Sequence, residues 1–317
     1  MMTRILSKRV QRWAIAIVAI GVAIASCDVQ KTEEESDRPQ VVATSTIIAD
    51  LTKKVGGDEI ELVSILKPGN DPHLYEPVPQ DTIALERADL ILYNGYNLEP
   101  ALIRLLQGTG IQAEKVAVGE KVSPLKNTNY GKNTPDPHVW GDAENGIIML
   151  EAIRDALIEL SPGDRQQFEE NAEQVRESLQ QLDVWIIAQI ATIPPENRKL
   201  VTTHDAFEYY ARAYGLEVTG TLIGMSTEEQ PSAQTVKTLS DEIKMAGIPA
   251  IFAETTINPT LIKTVAQEAG VKLGDRELYS DSIGIPDSEG DSYVKMLAAN
   301  TRTIVEALGG QYVPWQQ

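Results

Sequence analysis

One stretch of this chain, from Asp164 to about Ala191, repeats apolar residues every three or four positions with no Gly or Pro to interrupt the pattern. Its apolar positions are Phe168, Ala172, Val175, Leu179, Leu182, Ile186 and Ile190. This period is that of an amphipathic helix with a single apolar stripe. At 1.5 Å per residue, the helix is about 40 Å long. Because it lies near the middle of 317 residues, the rest of the chain must fold on either side of it.

On both sides of this helix, short apolar or β-branched runs alternate with helical patterns. Strands are predicted at Val41–Ser45, Ile60–Leu66, Leu90–Tyr93, Lys115–Val118, Leu200–Thr202, Glu217–Leu222, Ala250–Ala253 and Glu277–Tyr279. Such alternation is typical of βαβ units with a parallel sheet. The sequence therefore predicts an α/β fold with an N-terminal lobe at 40–162, a linking helix at 163–193 and a C-terminal lobe at 194–317.

The first 26 residues differ in composition from the rest of the chain. They contain basic residues but no acid, and then an apolar run that is shorter than the roughly 20 residues needed to span a bilayer. The run ends in Ile24-Ala25-Ser26-Cys27, which resembles a bacterial lipobox, where the chain is cut before a cysteine that receives a lipid. We predict a lipoprotein signal peptide at 1–26, lipidation at Cys27 and a flexible tether at 27–39. The alternatives are an uncleaved anchor and a cysteine placed there by chance.

The charge balance argues against a polyanionic partner. Lys and Arg number 28 against 46 Asp and Glu, which gives a formal net charge of −18 at pH 7. Binding nucleic acid needs a basic face, and stacking on bases needs aromatic side chains, which make up only 5% of the chain. A single cysteine forms neither an intrachain disulfide nor a thiolate metal cluster. We therefore expect no nucleic-acid partner.

The chain has only three histidines, and their contexts are related. His73 and His138 each follow an Asp-Pro pair, and His204 follows a predicted strand where a helix begins. Ligands of open α/β sheets bind beyond the carboxyl ends of strands. A single loop histidine is most often an ordinary surface residue, but three in such positions favour one shared metal site, since neutral imidazole is the commonest metal ligand.

A fourth ligand is needed to complete a metal shell, and two acidic residues qualify. Glu254 follows the predicted strand that ends at Ala253, and Asp281 follows the one that ends at Tyr279. The spacing of these residues does not choose between them.

The three histidines and the two acidic residues lie in five short motifs along the chain. They are DPHLYEP, DPHVW, VTTHDAFEYYARAYG, IFAETTINP and LYSDSIG. Together with the long helix, they resemble the cluster A-I (cluster 9) metal-binding lipoproteins of bacterial zinc and manganese ABC transporters, over residues 40 to 310. The resemblance implies two Rossmann-like (β/α) lobes joined by a rigid helix, with one ion in the cleft. It implies His73, His138, His204 and Asp281 as ligands, with Glu254 behind them to orient an imidazole.

The same resemblance implies a function. The chain is expected to be the extracytoplasmic solute-binding component of an importer, not an enzyme, that captures a divalent transition metal ion and delivers it to the permease. The implied partners are a permease with its ATPase and the membrane, reached through lipid on Cys27. We expect a monomer at the cell surface or in the periplasm, and little closure of the lobes on binding, because a single long helix permits only small rotations.

The identity of the ion is less constrained. Zinc-specific members of the resembled family carry a His-rich loop, whereas the loop Gly119–Pro137 has no His; manganese-specific members often carry Glu where this chain has His204. Three nitrogens and one carboxylate suit tetrahedral zinc, and manganese prefers more oxygen ligands. Zinc and manganese are both expected as the bound ion, and iron(II) is a further candidate.

Two other functions fit parts of the sequence. An exported zinc-dependent hydrolase would use Glu254 as its general base if Asp281 were not a ligand. The chain has no HExxH motif, which counts against the common form of such an enzyme. An adhesin that binds a host or matrix protein is compatible with transport, although no repeat indicates one.

Overall fold

The structure, a computed structural model, describes residues 38–108, 111–127 and 134–316. The predicted signal peptide, Cys27 and the tether up to residue 37 lie outside the described residues. From Arg38 onward, the described residues form one unit. Among the described ranges, none of the helices combines the length and the apolar character that crossing a bilayer requires.

The N-terminal lobe is built on a parallel four-stranded sheet. Its strands are β1 (Gln40–Ala43), β2 (Glu61–Ser64), β3 (Leu90–Tyr93) and β4 (Glu114–Ala117), and its helices are α1 (Thr46–Gly56), α2 (Pro79–Arg87) and α3 (Pro100–Leu106). The strand order is β2-β1-β3-β4. Since parallel strands need crossover connections, the predicted βαβ units account for this order. All their carboxyl ends therefore lie at one edge of the sheet, where the loop after β1 leads into α1.

The predicted loop at Gly119–Pro137 contains a small antiparallel pair, β5 (Lys126–Asn127) with β6 (Thr134–Pro135). A short 3₁₀ turn at Val139–Gly141 follows, and α4 (Ala143–Leu160) begins directly after it. Asp142 caps α4, because its Oδ1 accepts a hydrogen bond from the backbone N–H of Glu144 at 2.8 Å. This chain path brings the second Asp-Pro-His motif back beside the sheet.

The long helix forms where the periodicity predicts it. It is α5 (Arg165–Ile190), and each of the seven apolar positions of its predicted stripe is buried. The stripe packs against α1 and α4 of the N-terminal lobe and against α9 (Tyr293–Ala307) near the end of the chain. Because one face is buried along its whole length, α5 is part of the core as well as a connection between the lobes.

The C-terminal lobe repeats the α/β arrangement with shorter strands. They are β7 (Lys199–Thr202), β8 (Glu217–Thr221), β9 (Ala250–Ile251) and β10 (Lys272–Leu273), and the helices before α9 are α6 (Glu208–Tyr214), α7 (Ala233–Ala246) and α8 (Thr260–Ala269). β7 pairs with β8, and β9 pairs with β10, both in parallel. The N–H of Phe252, just past β9, donates to the carbonyl of Val201 in β7 at 2.9 Å, which joins the two pairs.

Two details of the C-terminal lobe differ from the sequence pattern. The predicted strand at Glu277–Tyr279 is a single parallel bridge between Leu278 and Glu254. The strand β10 has only two residues and was not predicted, since so short a run lacks a readable alternation.

The lobes share a hydrophobic core. Its largest cluster includes Val41 of β1, Ile186 of α5 and Ile304 of α9, all of which are fully buried. Tyr293, the first residue of α9, donates its hydroxyl to the carbonyl of Trp140 at 2.6 Å. Helix α9, from the C-terminal part of the chain, packs on α1 and α5, which belong to the other two predicted parts. The limits 40–162, 163–193 and 194–317 therefore remain a prediction.

Candidate metal centre

The two Asp-Pro-His motifs form matching turns. In the first, Oδ1 of Asp71 accepts a hydrogen bond from the backbone N–H of His73 at 2.9 Å. In the second, Oδ1 of Asp136 accepts from the N–H of His138, also at 2.9 Å. An aspartate that bonds the backbone two residues ahead makes an Asx turn, which holds the following side chain in a fixed direction. The aspartate of each motif is therefore as important for the local shape as the proline.

The ring of His138 is held by Asp136 as well as its backbone. Its Nδ1 lies 2.8 Å from the same Oδ1 of Asp136. Neutral His138 therefore carries its proton on Nδ1 and presents the Nε2 lone pair on the opposite side of the ring. The carbonyl of Pro137 accepts a hydrogen bond from Nδ2 of Asn94 at 3.0 Å, so the motif is tied to the carboxyl end of β3. The carbonyl of Asp136 also accepts from the hydroxyl of Tyr209 at 3.0 Å.

His204 lies two residues after β7, where the chain turns toward α6. Its backbone N–H donates to Oε1 of Glu254 at 2.8 Å, and its ring Nδ1 bonds to Oε2 of the same carboxylate. Glu254 is fully buried and lies just past β9. The carboxylate thus fixes both the main chain and the ring of His204, and leaves the buried Nε2 on the far side of the ring available for coordination.

The loop that carries Asp281 is held by residues of the N-terminal lobe. The carbonyl of Ser280 accepts from Nε1 of Trp140 at 2.9 Å, and Oγ of Ser282 accepts from the N–H of Gly69 at 2.9 Å. The N–H of the next residue, Ile283, donates to Oγ1 of Thr46 at 3.1 Å. Asp281 comes from the C-terminal lobe, but its position depends on contacts with the other lobe.

These loops bring His73, His138, His204 and Asp281 together. Each offers a donor atom, and the four atoms lie within 4.8 Å of one another. Nε2 of His73 is 3.3 Å from Nε2 of His138, Oδ1 of Asp281 is 3.5 Å from Nε2 of His138, and Oδ2 of Asp281 is 3.2 Å from Nε2 of His204. Four donors placed tetrahedrally about 2.1 Å from an ion would be about 3.4 Å apart.

The same atoms lack ordinary hydrogen-bond partners. Within the described residues, Nε2 of His204 and both carboxylate oxygens of Asp281 are buried and make no hydrogen bond. Buried polar atoms in folded proteins are nearly always paired, so atoms that converge unpaired point to a missing partner. A divalent cation between three imidazoles and a carboxylate would satisfy these atoms.

Burial and charge shift the pKa values of His73, His204 and Asp281 in different ways. Burial lowers the pKa of His73 to about 3, with Asp281 opposing that shift. Burial also disfavours the charged form of His204, but the carboxylates of Glu254 and Asp281 outweigh it and raise the pKa of His204 well above 6.5. Burial likewise opposes the charge of Asp281, yet the three histidines, His204 first, lower the pKa of Asp281 below its usual range. The two carboxylates therefore favour the protonated form of the His204 imidazole in the metal-free site.

The sequence left Glu254 and Asp281 as alternatives for a fourth ligand until the family resemblance was used, and their positions differ. Asp281 lies among the imidazoles, whereas Glu254 lies behind His204. Asp136, which was not predicted from the sequence as a site residue, contacts the ring of His138 just as Glu254 contacts that of His204. Its signal was present: an aspartate two residues before a histidine is placed to form an Asx turn.

A parallel α/β fold in which three histidines and one aspartate from two lobes meet at a buried point defines a class, the two-lobed α/β proteins with a candidate metal centre between the lobes. The comparisons with known proteins give the particular family. The family described as zinc-uptake complex component A, periplasmic, matches residues 41–307. The chain belongs to this family, and the resemblance to metal-binding proteins of ABC transporters is confirmed.

Relatives of similar length include two lipoproteins. ScbA of Streptococcus cristatus, named a metal ABC transporter substrate-binding lipoprotein, is 34% identical over 306 residues, which cover 94% of this chain and 98% of the relative. MntA of Halalkalibacterium halodurans, named a manganese-binding lipoprotein, is 31% identical over 299 residues, which cover 93% and 98%.

Solved structures agree with the fold. The periplasmic zinc-binding protein TroA from Treponema pallidum superposes with a TM-score of 0.81 at 34% identity, over 86% of this chain and 99% of TroA. A manganese-bound periplasmic metal-binding protein from Candidatus Liberibacter asiaticus gives a TM-score of 0.76 at 27% identity, over 86% of this chain and all of that one. The predicted α/β fold is therefore confirmed.

Proposed function

We propose that this protein is the extracytoplasmic solute-binding component of an ABC importer, and that it captures one divalent transition metal ion and delivers it to the membrane permease. The observation that carries the proposal is the convergence of four donor atoms within 4.8 Å, one from each of four residues. Within the described part of the chain, Nε2 of His204 and both carboxylate oxygens of Asp281 are buried without a hydrogen bond. The names of the relatives support it, since they are substrate-binding lipoproteins of metal ABC transporters.

We infer that the ligands are His73 and His138 from the N-terminal lobe and His204 and Asp281 from the C-terminal lobe. Since each lobe contributes two donors, an ion that is bound crosslinks the lobes. The four side chains are at most 4% exposed. An ion therefore enters and leaves only when a surrounding loop moves or the lobes separate slightly, and this opening is the step on which a permease would act.

The ion is zinc, manganese or both, with iron(II) as a further candidate. The three nitrogens and one carboxylate suit tetrahedral zinc, and the Irving–Williams order places zinc above manganese at almost any such site. Asp281 has two oxygens free of hydrogen bonds among the described residues, so it can bind through both and supply the higher coordination that manganese prefers. We expect tighter binding of zinc in solution, and selection of the ion by supply and by the permease.

We infer that the protein is a carrier and not an enzyme. The hydrolase alternative required Glu254 to act as a general base on a metal-bound water. One oxygen of Glu254 accepts from the backbone N–H of His204, and the other bonds to its ring. Because both oxygens of Glu254 are hydrogen-bonded and the side chain is not exposed to solvent, Glu254 is placed to orient His204. The family to which the chain belongs also has a role in metal uptake.

The proposed partners follow from the same role. We propose a permease and its ATPase, and the membrane through lipid on Cys27, which the lipoprotein names of the relatives support. We propose that the protein acts as a monomer outside the cytoplasm. The adhesin hypothesis has no support from the described structure beyond its compatibility with transport.

Metal analysis and competitive titration test the proposal. The purified protein should retain close to one equivalent of zinc or manganese, and zinc should displace manganese. Asp281→Ala should weaken binding on the order of 100-fold or more, since removal even of outer-shell partners costs 10–100-fold. Asp58→Ala is the matched control, because the Asp58 side chain is 97% exposed and its Oδ1 pairs with Nζ of the exposed Lys53 at 3.4 Å. A chain that binds neither ion, or an Asp281→Ala variant with native affinity, would contradict the proposal.

A further inference from the structure

A loop that follows β8 connects the surroundings of two proposed ligands. We call residues 222–230 the strap. At its start, the N–H groups of Leu222 and Ile223 both donate to the carbonyl of Thr203, at 3.1 and 2.9 Å. Slightly further along, the carbonyl of Gly224 accepts from the N–H of Asp205 at 3.3 Å. The strap is therefore attached on both sides of His204 in the C-terminal lobe.

The middle of the strap reaches the other lobe. Oγ1 of Thr227 donates to Oδ2 of Asp71 at 2.6 Å, and Thr227 is buried. The second oxygen of Asp71 accepts the N–H of His73 and closes the Asx turn. Both oxygens of Asp71 are thus used, one for the His73 turn and one for the strap. Two hydrogen bonds connect Thr227 to the main chain of His73.

The strap has internal contacts that do not involve Asp71. The N–H of Gly224 donates to Oε2 of Glu229 at 3.4 Å, and the N–H of Glu228 donates to Oγ of Ser226 at 3.4 Å. The loop therefore has a shape of its own, and removal of the Thr227 hydroxyl should break the bridge to Asp71 without unfolding the strap.

We propose that Thr227 is a positioning residue that slows release of the ion. It holds Asp71, and through Asp71 the turn that presents His73, while the strap is fixed beside His204. The hydrogen bond between Thr227 and Asp71 connects the two lobes, as the bound ion does. Separation of the lobes therefore breaks this hydrogen bond and the bonds to the ion together. This inference rests on the proposed function, because it concerns the rate at which the captured ion leaves.

The Thr227 hydroxyl donates to the carboxylate of Asp71 in a partly buried place. Such bonds contribute more than neutral ones, and they are lost when the lobes move apart. Removal of this hydrogen bond by mutation should lower the barrier to separation of the lobes and speed dissociation of the ion by about tenfold. Association should change less, because most differences in affinity among variants of one site appear in the dissociation rate.

The test uses three variants of the purified protein loaded with zinc. Thr227→Val keeps the shape of the side chain and removes the hydroxyl, and Thr227→Ser keeps the hydroxyl. Thr219→Val in β8 is the control, because the hydrogen bond of the Thr219 hydroxyl within the described ranges is a long one, to the carbonyl of Glu217 at 3.5 Å. Zinc release into excess chromophoric chelator is followed by stopped flow, and unfolding of the metal-free variants is followed by circular dichroism.

We expect faster zinc release from Thr227→Val by about tenfold, rates within about twofold of native for Thr227→Ser and Thr219→Val, and similar unfolding midpoints for all metal-free proteins. Native release from Thr227→Val, or failure of serine to restore the slow rate, would overturn the role of Thr227. Failure of the native protein to retain zinc or manganese would instead overturn the proposed function, so the two failures are distinguishable.

Discussion

Nε2 of His73 and Nε2 of His138 lie 3.3 Å apart at the meeting point of two Asx turns. Asp136 holds Nδ1 of His138, so the Nε2 lone pair of a neutral His138 faces His73. Burial lowers the pKa of His73 to about 3, which keeps that ring neutral in ordinary buffers. Two imidazoles that face each other this closely are arranged to bind a cation between them, and the pKa of His204, which is raised, means that this third ring must lose a proton to join them.

Metal binding should release close to one proton at neutral pH. Despite burial, Glu254 and Asp281 raise the pKa of His204 well above 6.5, so this ring is protonated in the metal-free protein, and Nε2 must lose its proton to coordinate. Affinity should therefore increase as pH rises through neutrality, and should fall further in acid. Calorimetry in buffers of different ionisation enthalpy measures the number of protons; a value near zero at pH 7 would contradict a charged His204.

The two carboxylates behind the imidazoles should matter for affinity although neither is a proposed ligand. Asp136→Asn and Glu254→Gln keep the side-chain shape but weaken the hold on His138 and His204. Loss of such partners typically costs 10–100-fold in metal affinity, so each variant should bind zinc about that much more weakly. Competition with a chelator of known affinity measures the change.

The matched control for these variants is Glu99→Gln. Glu99 is as buried as Glu254, but its Oε1 accepts from the hydroxyl of Thr44 and the N–H of Asn94, both at 2.8 Å, and no imidazole. Glutamine keeps this acceptor, so zinc affinity should stay within about twofold of native. Equal losses in Glu99→Gln and Glu254→Gln would mean that burial of a carboxylate, and not its contact with an imidazole, supports the site.

Much of this fold and site follows from local sequence signals. The stripe of α5 was readable because seven apolar residues share one helical face, and all are buried. The Asp281 loop was harder, because its anchors Thr46, Gly69 and Trp140 are more than 100 residues away in sequence. Each anchor is an ordinary polar or backbone group whose partner no local pattern encodes. The Thr227 bridge to Asp71 was invisible for the same reason.

Glu99 should make the stability of the metal-free protein depend on pH. Burial raises the pKa of this carboxyl from its ordinary value of 4.5 to about 7. The folded state then binds the proton more tightly than the unfolded chain, so stability falls as pH rises from about 4.5 to 7 and remains lower above that range. The full difference corresponds to about 3 kcal/mol.

Glu99→Gln should remove this dependence, since the amide does not titrate. Relative to native, the variant should gain about 3 kcal/mol in free energy of unfolding at pH 8 and much less at pH 5. Urea denaturation at the two pH values, with chelator present, measures both proteins. His73 titrates in an overlapping range with the opposite sign, but it is present in both proteins and its contribution cancels in the comparison. A constant difference between the proteins at the two pH values would refute the buried ionisation of Glu99.

The lobes should move little when the ion binds. The buried stripe of α5 packs against α1 and α4 of one lobe and against α9 of the other, so a large rotation would expose apolar surface on both sides. A globular protein of this size has a radius of gyration of about 19 Å, and we expect zinc to change it by less than about 1 Å. Small-angle scattering of the same sample before and after zinc addition measures this, with chelator added at the end to show reversibility. A decrease of several ångströms would mean that the lobes hinge around α5, and release would then be controlled by domain closure more than by the loops that carry His73 and Asp281.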